Sequence, residues 1–143
     1  MTFCRICPIY AVMLLLPASP LQADDLKPEV VVRCIHDMGE WGTEMTKRCI
    51  EDDLAAAAAL QAYPEQHSEI VARCTKRMQR RGWETVKLCA DRDIAAEAAL
   101  AQYPGEHKAT IDECLRDVGN RGPDRVKSCV DRRIGAAASS ERE

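Results

Sequence analysis

The stretch "VARCTKRMQRRGWETVKLC", residues 71–89, places Cys74 and Cys89 fifteen positions apart with Gly82 between them. The same layout stands forty residues earlier in "VVRCIHDMGEWGTEMTKRC" (31–49) and forty later in "IDECLRDVGNRGPDRVKSC" (111–129). Aligned without gaps, residues 31–70 and 71–110 share Arg33/Arg73, Met38/Met78, Gly42/Gly82, Glu44/Glu84, Lys47/Lys87, Asp53/Asp93, Leu60/Leu100, Tyr63/Tyr103, Pro64/Pro104 and His67/His107 besides the cysteines. Residues 111–143 form the third copy. A tandem repeat of this period points to stacked helical units.

Inside each unit the apolar period is helical. Val31, Cys34, Ile35 and Met38 fall at i, i+3, i+4 and i+7; Val71, Cys74, Thr75, Met78 and Ile111, Cys114, Leu115, Val118 repeat the stripe. A second stripe runs Val86, Cys89, Ala90, Ile94, Ala98, and again Val126, Cys129, Val130, Ile134, Ala138. Gly42, Gly82 and Gly122 separate the two, where a residue free to take positive φ turns the chain cheaply. Glu44, Glu84 and Asp124 face the positive end of the next helix's dipole, and Pro123 suits a first helical position. Tyr63-Pro64 and Tyr103-Pro104 mark the joints between units. The pattern predicts an all-α fold with helices over about 28–39, 43–62, 64–79, 83–102, 104–119 and 123–139. Three tandem hairpins of about forty residues result, as a short solenoid or a compact bundle. One long kinked helix through each proline is the alternative at the joints.

The cysteines then sit at matching heights on two antiparallel arms. The midpoint between Cys34 and Cys49 lies at the turn, and each arm rises about 1.5 Å per residue. The predicted pairs are Cys34–Cys49, Cys74–Cys89 and Cys114–Cys129. A bond between units, such as Cys49–Cys74, would join arms mismatched by roughly 6 Å in height, beyond what a disulfide spans. Each staple closes a loop worth about 3 kcal/mol by chain entropy.

The chain of 143 residues opens with "MTFCRICPIYAVMLLLPASPLQADD", which reads as a secretory signal over residues 1–23. Arg5 supplies the basic start, Ile9–Leu16 the apolar stretch and Ala23 the small residue at the cleavage point. This stretch is shorter than the roughly 20 apolar residues that span a bilayer. Residues 24–143 form one domain with six cysteines. An even cysteine count behind a signal indicates disulfides and a periplasmic or secreted location. Beyond the leader the aromatic residues are Trp41, Trp83, Tyr63 and Tyr103, and alanine supplies much of the apolar content. Each helix therefore buries little area, and covalent staples add to its stability.

Candidate chemistry is sparse. His67 and His107 stand seven residues before Cys74 and Cys114, which would suit a zinc or copper site with free thiols. Cys4 and Cys7 belong to the leader, and within residues 24–143 no CxxC or HxxxH pair accompanies the histidines; Lys27 stands where the first unit would need its own. Both histidines follow a Tyr-Pro joint and are read as packing groups; His36 does not repeat and is expected to be exposed. The carboxylates of "IEDDLAAAAAL" and "ADRDIAAEAAL", Asp53 and Asp93 among them, are read as a solvated helix face, with Asp131 as an offset counterpart in the third unit. No nucleophile recurs, so no catalytic residue, cofactor or metal is assigned.

Charge is uneven. Lys and Arg number 3 against 8 Asp and Glu in the first unit, 8 against 5 in the second and 7 against 7 in the third. Such polarity suits self-association or an acidic partner. A net charge of −3 and export argue against nucleic acid. Trp41 and Trp83 flank the turns without aligning, and are candidate partner-binding residues with Arg73, Arg77, Arg80 and Arg81, since tryptophan and arginine are enriched in hot spots.

The plan of stapled tandem hairpins resembles, in architecture, the cysteine-rich Sel1-like repeat proteins of bacteria. The cysteine spacing differs and their glycine-alanine signature is absent, so the resemblance implies no function. The expectation is a non-catalytic protein-binding or adaptor module. The alternatives are an inhibitor or immunity-type protein that blocks an envelope enzyme, and a Cys/His metal-binding or redox protein. Intact mass of the exported protein is expected to show Asp24 at the N-terminus and all six thiols blocked to alkylation until reduction. Free thiols would restore the metal or redox reading.

Overall fold

A computed structural model describes residues 23–140. Six α-helices make up three hairpins: α1 (Ala23–Met38) with α2 (Thr43–Gln61), α3 (Ser68–Met78) with α4 (Trp83–Leu100), and α5 (Lys108–Val118) with α6 (Pro123–Ser140). No strand occurs among the described residues. The expected signal peptide lies almost wholly outside them.

Each hairpin turn is one 3-10 turn closed by glycine. Gly42, Gly82 and Gly122 take φ of 94°, 102° and 105°, and no other described residue has positive φ. Each glycine N–H donates to the first carbonyl of its turn, at Gly39, Gln79 and Gly119. The joints at Tyr63-Pro64 and Tyr103-Pro104 are sharp breaks. Pro64 and Pro104 are extended, at φ −56° ψ 144° and φ −54° ψ 147°. The next α-helix starts at Ser68 or Lys108 after a further 3-10 turn, rather than at the prolines. At the other end, α1 begins at Ala23 and runs through Pro28, upstream of the expected start.

All three predicted disulfides are present, each with a Cα–Cα distance of 5.8 Å. The inner cysteine of each pair (Cys34, Cys74, Cys114) is fully buried. Around them lie three small cores, one at each disulfide: Val30, Cys34 and Ala57; Ile70, Cys74, Val86 and Ala90 with Leu60 of α2; Cys114, Val126 and Val130. Beyond its own hairpin, α2 packs on α4 and α4 on α6, so the second helices form the spine of an open array.

This spine corrects the expected stripes. Ile35 and Leu115 are 56% and 49% exposed, while Val30 and Ile70 are buried. In α2 and α4 the buried face widens to Asp53, Ala56, Ala57, Leu60 and to Val86, Ala90, Asp93, Ala96. A helix gripped by two neighbours buries more of its circumference than one in a lone hairpin, and alanine lets the axes approach closely.

The largest correction concerns Asp53 and Asp93. They are buried, each 3% exposed, rather than part of a solvated face. Gly82 is the N-cap of α4 and has no side chain with which to cap it. The Asp53 carboxylate of the preceding unit takes that place: the Glu84 N–H donates to Oδ1 at 3.0 Å and Arg33 Nη2 donates to Oδ2 at 2.6 Å. The next joint repeats this, with Asp124 N–H to Asp93 Oδ1 at 3.1 Å and Arg73 Nη2 to Oδ2 at 2.9 Å. One carboxylate thus satisfies an orphan helix donor, meets the dipole's positive end and pairs an arginine of its own hairpin.

The close approach explains a second demand on glycine. A Cβ at Gly82 would lie 2.8 Å from Asp53 Oδ1 and 2.9 Å from Arg33 Cζ, whereas at Gly42 it would meet nothing within 4 Å among the described residues. Gly42→Ala is expected to cost about 1–3 kcal/mol, the strain of its backbone alone. Gly82→Ala also displaces Asp53 and is expected to cost about 3 kcal/mol more, the scale of a broken buried pair. Urea unfolding followed by helicity checks the difference between them.

Candidate functional site

The tyrosine of each joint reaches into the following unit. The Tyr63 hydroxyl donates to Asp91 Oδ1, and the Tyr103 hydroxyl to Asp131 Oδ1. Lys87 Nζ donates to Asp91 at 2.8 Å and Lys127 Nζ to Asp131 at 2.7 Å. Asp131 is therefore the counterpart of Asp91, and not of Asp53 and Asp93. His107 stands edge-on to Tyr103 at 6.3 Å between ring centres. His67 Nδ1 lies 3.8 Å from Glu97 Oε2, and His36 is exposed beside Asp37.

With their sulfurs in disulfides, the six cysteines offer no thiolate. Asp93 does lie near Cys74 and Cys89, within 4.8 Å atom to atom. Its carboxylate is already occupied by Arg73 and the Asp124 N–H.

The surface has a repeating hollow where each turn meets the disulfide. The first, of about 310 Å³, is lined by Met38, Met45, Arg48, Asp52, Arg81 and Glu84 among others. The second, about 110 Å³, has Arg77, Arg92, Arg121 and Arg125 in its wall. The third, about 340 Å³, shares Arg121 and Arg125 and adds Arg132 and Arg133. In the forty-residue register Asp52 is replaced by Arg92 and Arg132, Met45 by Thr85 and Arg125, and Trp41 by Arg81 and Arg121. The row thus changes from mixed and partly apolar in the first unit to strongly basic in the third. Among the described residues Arg92, Arg125 and Arg132 form no ion pair.

The predicted partner-binding residues divide between this surface and the joints. Trp41 is 68% exposed at the first turn. Arg81 lines the first hollow; Arg77 lines the second and donates to the Arg121 carbonyl at 2.5 Å. Arg80 is exposed on the same turn. Arg73 is committed to Asp93, and Trp83 packs into the joint against the cores of both the first and second units. Arg92, Arg121, Arg125 and Arg132 were not singled out from the sequence, although comparing the repeats column by column exposes their replacement of Asp52, Trp41 and Met45. No family model, curated protein or solved structure matches this chain.

The Tyr–Asp–Lys sets set a pH range. Burial raises the Tyr63 hydroxyl above its usual pKa and the bond to Asp91 adds to this; for Tyr103 the bond to Asp131 is the main cause. Burial pushes Asp91 up, but hydrogen bonds from Lys87 and Tyr63 outweigh it and hold the carboxyl below its usual range. Asp131 is held down chiefly by Lys127, then by Tyr103. Lowered carboxyls stabilise above their unfolded pKa of about 4, and that contribution is lost as pH falls through the folded value. Raised tyrosines stabilise below about pH 10, and lose that contribution as pH rises through the folded value. The Tyr63→Phe/Tyr103→Phe variant is therefore expected to lose less stability than the native chain on passing above about pH 10, as read by urea midpoints across a pH series.

Proposed function

We propose that this chain is an exported, non-catalytic module that binds an acidic segment of a partner protein along the row of hollows. The observation that carries this reading is the set of arginines, Arg92, Arg125 and Arg132, without ion-pair partners among the described residues on a disulfide-stapled face. Guanidinium groups make bidentate bonds to carboxylates and are weakly hydrated, so a fixed row of them suits an Asp/Glu-rich strand or loop. A repeat array presents such positions at a regular interval. Exposed Met45 and Trp41 at the acidic end supply an apolar anchor beside the charged track.

Three disulfides fit an oxidising compartment, and no described helix is long and apolar enough to cross a membrane. Periplasmic or secreted placement rests on these facts together with the leader sequence. Trp41, at 68% exposure on a turn, also favours the inhibitor reading, in which that turn plugs an envelope enzyme.

The two readings separate by mutation. Arg92→Glu/Arg125→Glu/Arg132→Glu is expected to abolish capture of an acidic partner from the exporting host's envelope, and raised salt is expected to weaken native binding. Trp41→Ala is expected to weaken it only modestly. Loss of a one-to-one enzyme complex on Trp41→Ala alone would favour the inhibitor. Equal capture by the native chain and the triple variant would overturn the groove reading.

A further inference from the structure

The two joints inside this protein follow one recipe. The upstream unit offers Asp53, Ala56, Leu60 and Tyr63, or Asp93, Ala96, Leu100 and Tyr103. The downstream unit offers Gly82 with the Glu84 N–H, buried Val86 and Ala90, and Asp91 for the tyrosine; or Gly122 with the Asp124 N–H, Val126, Val130 and Asp131.

The first unit carries the downstream half of this recipe with nothing described on it. Gly42 has the same positive φ and, among the described residues, no atom within 4 Å of a Cβ position. Gly42 is exposed, whereas Gly82 and Gly122 are buried. Thr46 and Ile50 stand where Val86 and Val130 are fully buried, yet both are only half-buried. Glu51 stands where Asp91 accepts the tyrosine, and it is paired only loosely with Lys47, at 3.8 Å. These residues and exposed Ile35 line a largely apolar hollow of about 480 Å³.

The third unit does not carry the upstream half. Glu113 replaces Arg33 and Arg73, and Arg133 replaces Asp53 and Asp93. The ion pair survives with its sign reversed: Arg133 Nη1 donates to Glu113, and Nη2 donates to Asp117 at 2.7 Å. Ser140 and Glu143 stand at the leucine and tyrosine positions. A guanidinium cannot accept from a helix N–H and is repelled by the dipole's positive end.

We propose that the Gly42 face of the first unit is a docking surface for a helical unit of a different protein chain. The occupant carries Asp-x-x-Ala-x-x-x-Leu-x-x-Tyr, with an arginine paired to the aspartate, and Arg133 bars a second copy of this chain from the same place. The surface is separate from the arginine row, so neither proposal rests on the other.

The test converts the third unit into the missing partner. The full chain bearing Glu113→Arg, Arg133→Asp, Ser140→Leu and Glu143→Tyr is compared with the native chain by light scattering over a concentration series. Helicity and three intact disulfides confirm that each protein is folded. The converted chain is expected to assemble head to tail, with its mass rising beyond that of a dimer, while the native chain does not assemble. Added native chain is expected to shorten the assemblies by occupying their Asp-bearing ends. Thr46→Arg or Glu51→Lys in the converted chain is expected to abolish assembly, whereas Arg92→Glu/Arg125→Glu is not. A converted chain no heavier than the native one, or assembly insensitive to both Thr46→Arg and Glu51→Lys, overturns the proposal. Native self-association lost on Thr46→Arg overturns the role of Arg133.

Discussion

Two buried carboxylates, Asp53 and Asp93, hold the hairpins to one another. Each is desolvated, which is costly, and each recovers that cost through an arginine on its own hairpin and a helix N–H on the next. The geometry has little slack. The carboxylate occupies the space of an N-cap side chain, so the cap must be glycine. That glycine must also hold positive φ to end the turn. Removal of one partner leaves a charge or a helix donor buried without compensation, so the joint forms as a unit.

The rest of the architecture follows from the weakness of the individual cores. Each is three to five buried residues around one inner cysteine, mostly valine and alanine with Leu60 and Ile70 in the second, and such small side chains contribute little buried area. A hairpin of this kind alone would have a marginal core. The disulfide restricts the unfolded chain of each hairpin, while the polar joint and the tyrosine hydroxyl link neighbouring hairpins. Rigidity gained this way keeps the turns in line and brings the arginines of the second and third units into one row.

The same joint chemistry gives the array a direction. Its upstream end offers a helix N-terminus, a glycine and a carboxylate; its downstream end offers a guanidinium held by two acids. A dipole has opposite ends, so an acceptor is required on one side of every joint and donors on the other. Reversal of Arg–Asp to Glu–Arg keeps the third hairpin braced and removes the acceptor. The exchange was visible in the sequence as paired changes at positions 33/73/113 and 53/93/133. Its meaning was not, because nothing in the chain marks those positions as neighbours.

The sequence by itself determined the three hairpins, their turns and their disulfides. Those features are local and periodic: a glycine between two apolar stripes, with cysteines eight residues before it and seven after, brings the two sulfurs to the same height on the arms of one hairpin. The replacement of aspartate and methionine by arginine lies in the same forty-residue register, but it gained a meaning only once the hollows of successive units were seen to form one row. Only the tertiary structure decided that Asp53 and Asp93 are buried, that Trp83 belongs to a joint while Trp41 is exposed, and that the hairpins stack along α2, α4 and α6. An aspartate amid charged neighbours reads as solvated, since most are. Its partners here stand twenty positions upstream and thirty-one downstream, on elements that meet only when the units stack.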